Sequence, residues 1–137
     1  MTKLTCYLLF GGTCRQAMEF YQSIFGGRLT LTTVGDSPMA TMFPHSLHSR
    51  VVHARLISDA IEIPASDWLV QNETPVRGNM NCMYISEGPV EELTRLFEKL
   101  AKGGTITDPL QQQPFGLYGA LNDKFGVRWM FHTDRGS

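Results

Sequence analysis

The opening stretch of the chain consists of apolar segments separated by glycine pairs. Residues 4 to 10 (LTCYLLF) are mostly apolar and stop at Gly11-Gly12, a pattern that predicts a buried strand. Thr13 then offers a helix N-cap, and apolar residues recur at helical spacing as far as Gly26-Gly27, which predicts a helix between them. Residues 28 to 34 (RLTLTTV) alternate and contain several β-branched side chains, so we expect a second strand here.

A loop and a hairpin are predicted to follow the second strand. Residues 35 to 49 contain two prolines and two histidines, which indicates a loop. Residues 51 to 57 and 60 to 64 are predicted to be two strands that turn at Ser58-Asp59. The first half of the chain therefore has the order strand, helix, strand, strand, strand.

The register of this hairpin decides which side chains share a face of the sheet. With a turn at Ser58-Asp59, Arg55 lies opposite Glu62, and His53 lies opposite Pro64. One face is then polar and carries His53, Arg55 and Glu62. The other face is expected to pack against a helix, and its residues are all apolar: Val52, Ala54, Leu56, Ile61 and Ile63.

The second half of the chain repeats this order of elements. Residues 80 to 86 predict a strand, and Gly88-Pro89 is predicted to start a helix with the proline at its first position. That helix has an apolar stripe and is expected to end at Gly103-Gly104. Three further strands are predicted at residues 105 to 107, 117 to 121 and 127 to 132.

The two halves also match in sequence at a constant offset. At 77 residues, the matches include Tyr7 with Tyr84, Gly11 with Gly88, Phe20 with Phe97 and Thr30 with Thr107. The sequence therefore predicts a single domain built from two βαβββ modules. Module one is expected at about residues 1–66, a connector at about 67–78 and module two at about 79–133.

Composition and charge limit the classes of function. The 137 residues carry a formal net charge of −1, which argues against nucleic-acid binding because phosphate neutralisation needs a concentrated basic surface. No apolar run reaches the roughly 18 residues of a membrane span. Cys6, Cys14 and Cys82 are an odd number with no metal-binding spacing and no export signal before them. We therefore expect buried, unreactive thiols in a cytoplasmic protein.

Several segments of the chain together resemble one protein family. The run YLLFGGTCRQAMEFY from Tyr7, followed by IFGG from Ile24, resembles the N-terminal signature of PhnB-like proteins. These belong to the vicinal oxygen chelate superfamily of glyoxalase I, bleomycin-resistance proteins and extradiol dioxygenases. The run HAR from His53 resembles the family's third strand, and NDKFGVRWM from Asn122 resembles its last hairpin. The resemblance implies a homodimer and an α+β fold whose two modules form an incomplete mixed β-barrel around a cleft.

The resemblance also implies metal-ligand positions on the first and fourth strands of each module, typically two histidines and two glutamates. Carried over by spacing, these positions are Cys6, Glu62, Asn81 and Met130. Only Glu62 keeps the family's residue type, and hard divalent cations bind thioether and amide groups poorly. We therefore predict neither a resident metal nor another cofactor. The alternative is a divalent metal at a rearranged site of His53 and Glu62, together with His132.

Strand alternation predicts that the cleft is lined by both polar and apolar side chains. These are expected to be Cys6, Leu8, His53, Arg55, Glu62, Asn81, Met83, Arg128, Met130 and His132. Arg55 and Arg128 could hold a carboxylate or phosphate by bidentate hydrogen bonds, and Glu62 could act as a general base with His53 as its proton partner. Alternatively, Arg55 and Glu62 form a cross-strand ion pair.

Two functional hypotheses follow, and the sequence leaves open whether the protein is an enzyme. In the first, it binds a small molecule in the cleft without the family's standard metal site. The predicted ligand contacts are Cys6, Arg55, Asn81, Arg128 and Met130. In the second, it is a metal-dependent lyase, isomerase or dioxygenase-type enzyme that uses Glu62 and His53. Neither hypothesis involves nucleic acid or a membrane.

Overall fold

The structure, a computed structural model, describes residues 1–134 and contains two compact units. The first unit is Met1–Val76, and the second begins at Arg77. The elements of the first unit are β1 (Leu8–Phe10), α1 (Cys14–Phe25), β2 (Arg28–Thr33), β3 (Val51–Ile57) and β4 (Glu62–Asp67), with two short 3-10 turns between β2 and β3. Those of the second are β5 (Met83–Ser86), α2 (Val90–Ala101), β6 (Thr105–Gln113), β7 (Gly116–Asn122) and β8 (Arg128–Thr133).

Each unit is one open four-stranded sheet with one helix. The strand order is β1-β4-β3-β2 in the first unit and β5-β8-β7-β6 in the second. The pairs β1–β4 and β5–β8 are parallel and the others are antiparallel, so both sheets are mixed. The predicted α+β class and the paired βαβββ modules are confirmed. Within residues 1–134, no helix is long and apolar enough to cross a membrane.

The core of the first unit lies between α1 and one face of its sheet. The helix buries Ala17, Met18, Tyr21 and Ile24, which recur at helical spacing, and the sheet buries Leu8, Phe10, Ala54, Leu56, Ile63 and Ala65. The chain leaves α1 through Gly27, whose φ is +91°. A Cβ at Gly27 would overlap the carbonyl oxygen of Ile57, so only glycine lets β2 start this close to β3.

The second unit has the corresponding core. Of the predicted stripe, its helix buries Leu93, Leu96, Phe97 and Leu100, while Val90 at its start is half-buried. Its sheet buries Leu117, Leu121, Trp129 and Phe131. The rings of Phe97 and Phe131 meet edge to face, with centroids 5.3 Å apart and planes at 78°. This geometry is the favourable one for aromatic pairs, and it fixes the height of α2 above β8.

The predicted register of the β3–β4 hairpin is wrong by two residues. Ile57 pairs with Glu62, and Arg55 pairs with Pro64. Ser58 N donates to the carbonyl oxygen of Ile61 at 2.9 Å and Ile61 N donates to that of Ser58 at 3.4 Å, so the chain turns at Asp59-Ala60, one residue later than predicted. Side chains alternate along a strand with a period of two residues, so this slip leaves the predicted polar and apolar faces intact.

Several predicted strand and helix bounds also change. β1 begins at Leu8, which leaves Cys6 exposed in the segment before it. β6 extends beyond residue 107 through a polar run that contains Pro109, which an edge strand tolerates because its outer N–H groups are unpaired. Pro89 lies one position before α2 rather than at its first position, and Thr13 makes no side-chain cap bond to α1.

Two residues that we expected on the same face as His53 and Arg128 lie on the helix-packed faces instead. Leu8 pairs with Ala65 and is 6% exposed, and Met83 pairs with Trp129. The prediction counted strand alternation from residues that precede β1 and β5, where no strand pairing constrains the chain. The side chains of Tyr7 and Tyr84 take the opposite direction, and both are largely exposed.

Candidate functional site

The face of the first sheet that α1 leaves uncovered is polar, and we call it the open face. It carries Leu9, Arg28, Thr30, Thr32, His53, Arg55, Glu62 and Pro64, which the strand registers place on one side. Tyr7, directly before β1, is 45% exposed, and its hydroxyl donates to the carbonyl oxygen of Ala65 at 3.1 Å. The open face therefore combines cations, one carboxylate and two rings.

An ion-pair cluster occupies one end of the open face. Arg55 Nε and Nη2 donate to Glu62 Oε2 at 2.9 and 2.7 Å, while Lys3 Nζ contacts Glu62 Oε1. The predicted ion pair between Arg55 and Glu62 is therefore formed, although the two residues are diagonal neighbours rather than directly opposed. Both carboxylate oxygens are engaged, whereas Nη1 of Arg55 has no hydrogen-bond partner within residues 1–134.

His53 lies at the other end of the open face. It pairs with Thr32, whereas Glu62 pairs with Ile57, four residues further along β3. At the rise of a β-strand these four residues span about 13 Å, so His53 is not the diagonal neighbour of Glu62 that the predicted register, with Arg55 opposite Glu62, implies. The neighbour of the His53 ring is instead Tyr7, with ring centroids 6.3 Å apart.

The second unit also places a tyrosine beside a histidine on its uncovered face, although His132 lies on β8, which corresponds to β4, whereas His53 lies on β3. Tyr84 Oη lies 3.3 Å from His132 Nδ1, and His132 Nε2 lies 3.1 Å from the carbonyl oxygen of Phe115. We did not single out the tyrosines as site residues, although the match of Tyr7 with Tyr84 at an offset of 77 residues was the signal that could have found them. The repeat thus preserves the position of the tyrosine, while the neighbouring histidine comes from a different strand in each unit.

The ligand contacts predicted in the second unit lie partly on β8 and partly in the segment before β5. Arg128 pairs with Asn122, and Met130 pairs with Tyr84 and Ala120, so both lie on the uncovered face. Asn81 precedes β5 and is exposed, as Cys6 precedes β1 in the first unit. Strand geometry fixes the directions of Arg128 and Met130 but not those of Asn81 and Cys6.

Comparison with known proteins identifies the family to which a chain with this doubled βαβββ fold belongs. A sequence profile of the glyoxalase/bleomycin resistance protein/dioxygenase superfamily matches residues 3–131. The chain belongs to this superfamily. Among solved structures, the chain is similar to protein PA1353 from Pseudomonas aeruginosa, which is 31% identical with a TM-score of 0.79 over 96% of this chain and 98% of that one.

Two further proteins are similar to this chain over almost their whole length. A PhnB protein from Bacillus cereus is 28% identical with a TM-score of 0.73, over 96% of this chain and 99% of that one. Protein YjdN from Escherichia coli K12 is 27% identical over 143 residues, which cover 95% of this chain and 94% of YjdN. The predicted resemblance to this superfamily and its PhnB-like members is confirmed.

The superfamily's implied metal positions have a donor set that does not fit a hard divalent cation here. Glu62 is the one carboxylate, and it is already neutralised by Lys3 and Arg55. A metal would have to displace both cations and then accept thioether or amide ligands. Within residues 1–134, no three His, Cys, Asp or Glu side chains come together as a possible ligand group. We derive no chemistry through a metal at these positions.

The cysteines differ from one another in exposure. Burial, reinforced by the nearby negative charge of Asp67 and only partly offset by Arg15, raises the pKa of the Cys14 thiol to about 12. A thiol with so high a pKa is not a nucleophile at neutral pH. The expected burial holds for Cys14 but is wrong for Cys6, which is exposed, while Cys82 is half-buried.

Proposed function

We propose that this chain binds a small organic anion on the open face of its first sheet, without the superfamily's standard metal-ligand set. The observation that carries the proposal is the charge of that face. Lys3, Arg28 and Arg55 supply three positive charges, and Glu62 is the one acidic residue that β1 to β4 place there. Three positive charges minus one negative charge leave an excess of two, which favours an anionic ligand.

Arg55 is the residue best suited to hold the ligand's acidic group. Its Nε and Nη2 bond to Glu62 and fix the guanidinium plane, while Nη1 is left to donate to a second carboxylate or phosphate. Tyr7 and His53 add two neighbouring rings that can contact an apolar part of the ligand. On the second unit, Arg128 beside Met130 offers the same combination of a cation and an apolar side chain.

The catalytic role that we predicted for Glu62 and His53 depends on what the ligand does to the ion-pair cluster. With Lys3 and Arg55 bound to it, the carboxylate of Glu62 has both oxygens occupied. A ligand anion that draws Arg55 or Lys3 away would leave Glu62 able to accept a proton. His53 lies too far along β3 to exchange that proton with Glu62 directly, so it would act on another part of the ligand.

The proposal is tested by mapping ligand binding on the amide spectrum of the protein. A panel of small carboxylates and phosphate esters is titrated beside neutral amides of the same shape. We expect the anions to cause saturable shifts in the amide signals of residues 53–57 and 62–66. In Arg55→Gln the anions should bind at least about tenfold more weakly. Arg95→Gln, the same change on the exposed side of α2, is the matched control. Equal binding in Arg55→Gln, or of the neutral analogues, would contradict the proposal.

A thermal-shift series with Mn²⁺ and Zn²⁺ tests the metal-dependent alternative. The proposal predicts no stabilisation by either ion. A stabilisation that disappears in both Glu62→Gln and His53→Gln would instead support a lyase, isomerase or dioxygenase-type enzyme that uses these two residues. Stabilisation retained in both variants would point to a site elsewhere.

We also propose that the protein is a cytoplasmic homodimer. The support is the behaviour that the family resemblance implies, together with three cysteines that form no disulfide in the structure. Light scattering after size exclusion gives the mass directly. A mass near 15.4 kDa at micromolar concentration would contradict the dimer.

A further inference from the structure

The first unit contains a pocket that is separate from the open face. It has a volume of about 200 Å³ and lies where β1 and β4 end. Its walls come from the turn after β1 (Gly11), the end of the loop before β3 (Leu47 and Arg50) and the segment after β4 (Trp68 and Pro75). None of the ion-pair cluster of the open face lines it, so the pocket requires its own explanation.

Arg50 supplies the charge of this pocket. Its guanidinium lies flat against Gly12, where a Cβ would come within 3.2 Å of Arg50 Cζ and 3.4 Å of both terminal nitrogens. Gly12 also has a φ of +121°, a conformation that L side chains rarely adopt. Glycine at position 12 therefore makes room for Arg50. Within residues 1–134 the half-buried guanidinium makes no hydrogen bond and no ion pair.

Within residues 1–134, no neighbouring carboxylate forms an ion pair with Arg50. The carboxylate of Asp67 lies close by, but it accepts three backbone N–H groups, those of Gly12, Cys14 and Val51. One of these donors, the N–H of Cys14, belongs to the first residue of α1. Arg50 is the one charged residue among those lining the pocket, and its donors remain available.

The remaining walls are mainly apolar and well held. Trp68 is fixed at two points, since its backbone N–H donates to the carbonyl oxygen of Phe10 at 2.6 Å and its Nε1 donates to that of Glu73 at 3.0 Å. Leu47 and Val70 add aliphatic surface. An apolar cavity of about 150 Å³ is enough for benzene, so a pocket of about 200 Å³ has room for one ring and a carboxylate.

We propose that this pocket is a second ligand site, specific for a small carboxylate that bears an aromatic ring. The carboxylate takes the two terminal nitrogens of Arg50, and the ring contacts Trp68 and Leu47. A guanidinium held flat by the backbone beneath it loses little conformational freedom on binding, which favours recognition of a planar anion. The site is independent of the anion site proposed for the open face.

The test is a titration of the whole protein with benzoate, followed through the indole N–H signal of Trp68. Trp68→Phe identifies that signal, because Trp129 gives the other one. We expect a saturable shift with benzoate, at least about tenfold weaker binding of benzamide and of inorganic phosphate, and a similar loss in Arg50→Gln. Val70→Asp, at a position 46% exposed on the rim, places a repelling charge there and should also weaken binding. Arg55→Gln should leave the Trp68 shift unchanged.

Each of the following outcomes would contradict the proposed second site. No saturable shift with benzoate refutes it directly, and so does binding retained in Arg50→Gln and Val70→Asp. If phosphate binds as tightly as benzoate, the apolar wall contributes nothing to the affinity. If benzamide binds as tightly as benzoate, the charge contributes nothing to the affinity. A shift lost in Arg55→Gln would assign the ligand to the open face instead. Failure of the open-face proposal alone would leave the Trp68 shift intact.

Discussion

Asp67 is the residue whose replacement tests the architecture of the first unit most directly. Its carboxylate is 3% exposed and joins the start of α1 to the start of β3. Oδ1 accepts the N–H groups of Gly12 and Cys14 at 3.1 and 2.9 Å, and Oδ2 accepts that of Val51 at 2.8 Å. The helix is therefore capped by a side chain 53 residues away, while Thr13 at the N-cap position makes no side-chain cap bond.

Asp67→Asn keeps the shape of the side chain and removes one acceptor. If the amide oxygen keeps the Oδ1 position, its NH₂ group faces the N–H of Val51, so a buried donor opposes a buried donor. The lost charge-assisted bond costs about 1.5–3 kcal/mol, and the unfavourable loss of negative charge at the helix start adds about 0.3–1 kcal/mol. We therefore expect the free energy of unfolding to fall by about 2–4 kcal/mol, a large part of the stability of a small protein.

Urea unfolding followed by circular dichroism measures this change, with the m-value checked for constancy. Asp59→Asn is the matched control, because Asp59 is exposed in the β3–β4 turn and its side chain makes no hydrogen bond or ion pair within residues 1–134. The control should change the free energy of unfolding by less than about 0.5 kcal/mol. If Asp67→Asn and Asp59→Asn behave alike, the buried carboxylate does not hold α1 in place and the reasoning is refuted.

Three further predictions concern the thiols and the ion pair. The pKa of Cys14 is raised to about 12, so its contribution to stability is full below about pH 9 and is lost as the pH rises toward 12. Between about pH 8 and about pH 10.5, wild type should lose about 2 kcal/mol more than Cys14→Ala in urea unfolding, and equal losses would contradict this. Ellman's reagent should label Cys6 and Cys82 in the native protein and Cys14 only after unfolding; rapid native labelling of all three would disprove the burial. Arg55→Gln or Glu62→Gln should each cost less than about 1 kcal/mol, because these side chains are 45% and 21% exposed, and a larger loss would show a structural role.

The sequence predicted the elements well because their signals are local. Helix α2 follows from the spacing of its apolar stripe, and the end of α1 follows from Gly26-Gly27. The length of β6 was underestimated because the second part of the strand, which contains Pro109, is polar and lies at the edge of the sheet. An edge strand buries little surface, so it leaves little hydrophobic pattern in the sequence.

The candidate site was predicted in composition but not in arrangement. The polar face with His53, Arg55 and Glu62 was correct, because the period of two residues fixes which side chains share a face. The predicted distance between His53 and Glu62 was wrong, because the chain turns at Asp59-Ala60, between Ser58 and Ile61, one residue later than predicted, and no residue pattern distinguished the two turn positions.

The sequence by itself determined the α+β class, the doubled βαβββ order and the residues available for chemistry. The order of elements follows from local periodicity and from the repeat, and the α+β class follows from the resemblance of these segments to a known family. Only the tertiary structure decided that Asp67 caps α1, that Tyr7 stands beside His53, and that Arg50 lies against Gly12 in a pocket. Such contacts join segments that are far apart in the chain, and their geometry depends on strand register and turn length, which are set by the packing of the whole unit.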